Sequence, residues 1–435
     1  MNLTLERIGA VQYASIDLVG LTVIAGENDT GKSTLGKVSF ALVQAFSTFP
    51  IAVKKNNGAR LRRELDMLYF EIRRGFDIAR HPDIRHFFSS LRVHSTDVQS
   101  IPFSDIEKLI QVLEVSDTQE FDEKLDKPSA RGTSRLPQIR RRIERLRQEF
   151  ERTVTDEQAI GRLVHQALSS EFAGEIQNVS TAGVARISLT DGATAVLEMK
   201  ITNSDVVEFS GGEPLGLRDA TLVDGPSILQ YYPAISGYDG LGFGGASYRA
   251  AIPYHTVDLA NKLKGAHDGF KFSKEEYAPF CDVFAGEVVY DDENENFYLK
   301  RGSLKIPSVN IASGIKALSI VDMLRKGDYI NDDTLLILDE PETNLHPTWQ
   351  IAYARAICHL VEVGARILVT THSPYMLEAL RGYCSDGIDS KFYFAERDAD
   401  GVVRYIDTLG DISEIIETLS KPLSDFLEEI SGDDF

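Results

Sequence analysis

Gly26-Glu27-Asn28-Asp29-Thr30-Gly31-Lys32-Ser33 stands between the near-continuous apolar run Leu21-Thr22-Val23-Ile24-Ala25 and a helical stretch from about Ser33 to Phe46. A buried strand, a Gly-rich turn ending in G-K-S and a helix, in that order, form a phosphate-binding loop. The chain is thereby committed to an α/β sheet with a central strand covered on both faces. Backbone N–H groups of such a loop and of the helix N-terminus wrap phosphates. Lys32 is placed to reach a β- or γ-phosphate, and the Ser33 hydroxyl to ligate magnesium. Gly26, Asn28, Asp29, Thr30, Gly31 and Thr34 complete the expected nucleotide-binding set.

A second element, Leu335-Leu336-Ile337-Leu338-Asp339-Glu340, is an apolar strand ending in two carboxylates. Alone it reads as a solvated strand terminus. Beside a phosphate loop it places Asp339 near magnesium and Glu340 near the γ-phosphate, where a carboxylate can orient or deprotonate an attacking water. A third apolar run, Ile367-Leu368-Val369, leads into Thr370-Thr371-His372-Ser373-Pro374. His372 by itself reads as a satisfied structural histidine; after a buried strand its polar tip is expected to face the γ-phosphate.

In this order the elements resemble the ABC-type ATPases, and within them the group of SMC proteins, RecF and the OLD (overcoming lysogenization defect) ATPases. Antiphage ATPases of OLD-like, PARIS and Septu type are similar in size and plan. Leu335 to Pro341 looks like the Walker B strand of that group. Glu342-Thr343-Asn344-Leu345-His346-Pro347 is similar to its E-x-x-L-H-P continuation, and the His372 loop resembles its switch loop. Ala312-Ser313-Gly314-Ile315-Lys316 resembles its degenerate signature motif. The resemblance covers about residues 1–45 and 300–395. It implies ATP and Mg2+ as cofactors, Lys32, Glu340 and His372 as catalytic groups, and Ser33 and Asp339 on the metal. It also implies a homodimer or higher homo-oligomer in which two copies sandwich two ATP molecules, Ser313 and Gly314 of one completing the site of the other. Ser210-Gly211-Gly212 is closer in letters to the ABC signature, but Pro214 follows and no amphipathic helix comes after it, so it reads as a loop. The glutamine loop of the family has no evident match, Gln44 lying too close to the phosphate loop.

These positions predict an ABC-type P-loop NTPase sheet split as 1–45 and 179–410, a helix-rich insertion over 46–178, and an acidic helical tail over 411–435. Within the insertion, Ile139, Ile143, Leu146, Phe150 and Val154 mark one stripe of a helix running from Pro137 towards Ser170. Such an arm, about 50 Å long, is far shorter than a chromosome-structural coiled coil. Basic clusters at Lys54, Lys55, Arg60, Arg62, Arg63, Arg73 and Arg74, and at Arg140, Arg141, Arg142, Arg145, Arg147 and Arg152, offer a phosphate-backbone contact or a solvated helix face. With 46 basic and 66 acidic residues the chain carries −20, so any DNA contact is local.

Cys281, Cys358 and Cys384 show no C-x-x-C spacing, which predicts neither zinc nor a disulfide framework and fits a reducing cytoplasm. No export signal or run of about 20 apolar residues is present, so neither export nor a membrane partner is expected. Asp398-Ala399-Asp400, with Glu396 nearby, matches the D-x-D letters of the TOPRIM nuclease found in full OLD proteins. The flanking alternation around Asp400-Gly401 reads instead as a tight hairpin, and too few residues follow His372 for that domain. The expected function is therefore an ATPase without nuclease activity, a sensor or scaffold controlling a separately encoded nuclease or toxin in antiphage defence. The alternative is a RecF-like repair ATPase that binds DNA directly.

Overall fold

The computed structural model describes residues 1–47, 67–68, 141–142, 144–145, 156–177, 183–203, 205–211, 215–236, 252–270, 280, 283–384, 387–398 and 401–432. The chain divides into two compact units, Met1–Ser47 with Asp156–Phe435, and Thr48–Thr155. The stripe Ile139 to Val154, most of both basic clusters, Cys281 and the segment Gly237 to Tyr248 lie outside the described residues.

The first unit is built on a large mixed sheet. Its strands are β1 (Asn2–Ile8), β2 (Val11–Asp17), β3 (Leu21–Ala25), β4 (Ala185–Asp191), β5 (Thr194–Thr202), β6 (Asp205–Gly211), β7 (Asp219–Val223), β11 (Thr334–Asp339), β12 (Arg366–Thr371), β13 (Ser390–Arg397) and β14 (Val403–Asp407). Their order across the sheet is β6-β5-β4-β1-β2-β14-β13-β3-β12-β11-β7. β13, β3, β12, β11 and β7 run parallel, whereas β1, β2, β4, β5 and β6 form antiparallel pairs. The sequence accounts for this split. β3 is buried at every residue, as a strand covered on both faces must be, while β1 and β4 alternate buried and partly exposed positions. A separate sheet is formed by β8 (Glu287–Asp291), β9 (Asn296–Arg301) and β10 (Leu304–Pro307), its first turn made by the acidic Asp291 to Asn296.

Helix α1 (32–47) follows the phosphate loop. It lies close on the sheet because Gly36 has no side chain: a Cβ there would sit 3.1 Å from Ile337 and 3.6 Å from Leu222. Helices α2 (Asp156–Glu171), α3 (Ile228–Ile235), α4 (Tyr254–Phe270), α5 (Ser313–Lys326), α6 (Pro347–Glu362), α7 (Pro374–Tyr383) and α8 (Ser413–Gly432) follow in the chain. Leu259, Leu263, Leu318, Val321, Tyr353, Ile357, Leu377 and Leu380 from α4 to α7 share one apolar core with Leu21, Val23, Leu336 and Leu338 of the sheet. Helix α2, placed by the sequence in the insertion, belongs to the sheet-bearing unit, where Gly161 admits the Phe209 ring of β6.

Two expectations are corrected. Ser210 and Gly211 end β6 rather than forming a loop. Gly211, at φ +144°, leaves room for the Val196 carbonyl, which a Cβ would approach to 2.5 Å. Cys358 of α6 and Cys384, just after α7, form a disulfide with Cα atoms 5.8 Å apart. Sequence spacing misses it because the pairing is made by the packing of two helices. The tail is a single helix, α8, with Pro422 inside it. Ile412 and Ile415 near its start are buried, Ile416 and Leu419 are half-buried, and Leu423 and Phe426 further along are exposed. Among the described residues no helix is long and apolar enough to cross a membrane.

Candidate functional site

Parallel β3, β12, β11 and β7 end on one edge of the sheet, the place where open α/β sheets hold ligands. After β3 the chain turns through the phosphate loop, with Asp29 at φ +63° and Gly31 at φ +72°. Three contacts brace the loop. The Gly26 N–H donates to the Thr371 carbonyl at 3.2 Å, the Tyr405 hydroxyl donates to the Thr30 carbonyl at 2.9 Å, and Thr30 Oγ1 donates to the Glu27 carbonyl at 2.8 Å. Arg397 of β13 donates to the Asp29 carbonyl and pairs with its carboxylate at 2.9 Å. Glu27, Asn28 and Asp29 are exposed, whereas Thr34 is buried against Gly9.

Gly26 is required by proximity: a Cβ there would lie 2.3 Å from the Ala395 carbonyl oxygen of β13. Backbone cannot yield as a flexible side chain does. Gly26→Ala is therefore expected to cost about 1–3 kcal/mol of stability and to weaken nucleotide binding, read by thermal melts with and without ATP.

Lys32 is buried, and its Nζ donates to the Gly26 carbonyl at 3.0 Å and the Glu27 carbonyl at 2.6 Å. Burial pulls its pKa down, and Glu340, with an oxygen 3.8 Å away, is the largest opposing influence. Glu340 has φ +48°, and its N–H donates to both the carbonyl and hydroxyl oxygens of Thr370 at 3.1 Å. The Thr370 hydroxyl donates in turn to the Asp339 carboxylate. One threonine thus fixes both acidic residues.

His372 Nδ1 lies 3.4 Å from Glu340 and 3.4 Å from Glu342. The adjacent Glu340 carboxylate raises the imidazole pKa, and the imidazole holds the Glu340 pKa below its usual value. Glu342 is buried, accepts from the Thr371 hydroxyl at 2.7 Å and the His372 N–H at 2.8 Å, and has its pKa raised by burial. Gln350 continues the brace, donating to the Leu345 carbonyl at 3.0 Å and accepting from Ser373 at 2.6 Å. The E-x-x-L-H-P segment is thereby tied to the His372 loop. Glu342 and Thr370 stand inside the motifs read from the sequence, but their bracing roles arise only from the pairing of β11 with β12.

Lys32, Asp339, Glu340 and His372 are brought together. Ser313 is exposed on the first turn of α5 and makes none of the contacts described for that cluster. Gly314 beside it is buried, and a Cβ there would come within 2.9 Å of Trp349 and 3.0 Å of Leu345. No side chain caps the first turn of α5. Gln44 is remote from this chemistry: it bonds to Asp219 at 2.7 Å and the Ala220 carbonyl at 2.8 Å, at the opposite end of β7.

The oxygen donors suit Mg2+, which favours one or two protein oxygens together with phosphate and water. Ser33 is half-buried at the start of α1, and the Asp339 carboxylate is oriented by Thr370 at the end of β11. Among the described residues no group of three or more His, Cys, Asp or Glu is placed to hold a metal ion.

A comparison with curated proteins finds no match. Solved structures similar in fold include an SMC head domain from Thermotoga maritima, at 11% identity and TM-score 0.38, covering 94% of this chain and 98% of that one. Another is an SMC head domain with an extended coiled coil, bound to the C-terminal domain of ScpA derived from Pyrococcus furiosus. It shows 12% identity and TM-score 0.32, with 99% and 98% covered. Residues 236–378, containing the E-x-x-L-H-P segment and the His372 loop, match the family described as AAA domain, putative AbiEii toxin, Type IV TA system.

Proposed function

We propose that this chain is an ATPase that closes as an ATP-bridged homodimer or higher homo-oligomer and controls a separately encoded effector, a nuclease or toxin, in antiphage defence. The observation carrying the ATPase reading is the convergence of buried Lys32 with Glu340 and His372 at one sheet edge. Lys32 exchanges its loop carbonyls for the β- and γ-phosphates, Glu340 orients the attacking water, and His372 holds Glu340 and meets the γ-phosphate. Ser33 and Asp339 would hold Mg2+, which when bound would neutralise charge on the phosphates. The uncapped first turn of α5, with Ser313 exposed on it, is suited to the phosphate of a facing subunit.

The effector reading draws on the resemblance to antiphage ATPases and on a surface at α8. An apolar groove of about 650 Å³ between α6, α7 and α8 is lined by Ile351, Tyr375, Ala379, Tyr383, Leu419 and Leu423. Exposed Asp425 and Glu429 lie along α8 beyond it. Apolar contact flanked by acidic charge suits a basic amphipathic segment, and a second copy of this acidic helix would be repelled. Expression of the chain with its native neighbouring genes tests the reading. Co-purification of a neighbour's product, lost in Leu423→Asp, is expected. An ATPase that purifies alone, and whose turnover responds to DNA ends or gaps, would favour the repair alternative that the basic clusters of the insertion suggest.

A further inference from the structure

Among the strands ending at the nucleotide edge, β7 is the one whose terminal residue has no role above. Val223, the last residue of β7, pairs with Leu338, so the chain delivers Asp224 just past the end of β7, at the edge where β11 ends in Asp339. The Asp224 side chain is about half exposed, whereas the two groups behind it are sealed. His255 Nε2 lies 3.0 Å from Asp224, and His255 Nδ1 lies 2.5 Å from Glu171. The His255 imidazole is 1% exposed and the Glu171 carboxylate 0%. Glu171 also accepts the His255 N–H at 3.0 Å, which fixes the start of α4 against the end of α2. The edge of His255 is packed against Phe40 of α1, with ring centres 6.1 Å apart. Both carboxylates raise the imidazole pKa to about 9 against the effect of burial, so the histidine is a cation at neutral pH.

Capping α4 needs only Glu171. A buried imidazolium that also grips a half-exposed carboxylate at the ligand edge does more, because it fixes where that carboxylate points. Against the effect of burial, the hydrogen bond from His255 and, more weakly, the charge of Lys37, one helical turn beyond Ser33 on α1, hold the Asp224 pKa below its usual value.

We propose that Asp224 is a positioning residue that accepts hydrogen bonds from the water shell of the nucleotide-bound metal. His255 and Glu171 hold it there and tie it to α2, the helix by which the chain returns from the unit 48–155. The inference rests on ATP binding at the phosphate loop and deepens that reading.

The test uses the full chain with AMP-PNP and Mn2+ as probes, free Mn2+ being read by electron paramagnetic resonance. Asp224→Asn keeps the shape and removes the charge. It is expected to weaken Mn2+ binding to the nucleotide complex about tenfold, corresponding to about 1.4 kcal/mol, while metal-free nucleotide affinity stays at the wild-type value. His255→Gln is expected to act in the same direction. Hydrogen exchange should show nucleotide-dependent protection of α2 in the wild type that is lost in Asp224→Asn. A residue serving only the fold would lower the melting temperature without moving metal affinity. Wild-type Mn2+ affinity in a folded Asp224→Asn protein overturns the proposal, even if His255→Gln fails to fold. An equal loss with and without metal also overturns it. A wild-type chain that binds no nucleotide overturns the ATPase reading and this one together, and is distinguished because the defect is then present before any substitution.

Discussion

Glu340→Gln is expected to lower steady-state phosphate release by about 10²–10³-fold while leaving ATP binding intact. The amide keeps the size of the side chain but cannot accept a proton from water. It also removes the negative charge facing Lys32 and His372, whose nearest oxygen distances are 3.8 and 3.4 Å. With hydrolysis blocked and binding preserved, an ATP-bound oligomer should accumulate and be seen as a shift in sedimentation on adding ATP. Lys32→Ala should give no such shift, because the phosphates lose their buried cation. Wild-type turnover in Glu340→Gln would sink the assignment of the water-orienting group.

Equal mixing of Lys32→Ala and Ser313→Arg subunits, each inactive alone, is expected to restore about a quarter of wild-type turnover. In a two-fold dimer half of the randomly mixed particles are hybrids, and each hybrid holds one intact composite site, from the Lys32 of one subunit and the Ser313 of the other. The exposure of Ser313 on an uncapped first turn of α5 motivates the experiment. Restored activity depends on subunit exchange, which a fluorescent label on one variant monitors directly. No recovery despite exchange would place Ser313 outside any shared site.

The elements of the proposed nucleotide site were legible because their signals are local. A buried strand followed by G-x-x-x-x-G-K-S, or four apolar residues ending in Asp339 and Glu340, states its type and its edge of the sheet within ten residues. The bracing groups were not legible in this way. Glu342 becomes a support for His372 only when β11 lies beside β12, and Asp224 reaches the same edge only when β7 pairs with β11. β7 is short, without alternation, and follows Gly-rich sequence that conceals its start. The Cys358–Cys384 disulfide joins residues 26 apart through helix packing. The tail was legible as helical, but which of its apolar residues are buried depends on α7, a neighbour the local sequence cannot name. The hairpin of β13 and β14 was read from alternation; that it grips the phosphate loop was not, since the contact spans almost the whole chain.

That grip sets an order of assembly. Thr30 and Tyr405 are 375 residues apart, and Arg397 is 368 residues from Asp29. During synthesis the phosphate loop leaves the ribosome long before the strands on either side of β3 and the hydroxyl that fixes Thr30 are made. Contacts of such long range are slow to close. The nascent chain therefore carries an unformed loop until the 368 residues that separate Asp29 from Arg397 have been made, and competence to bind nucleotide arrives in one step that reports completion of the sheet around β3.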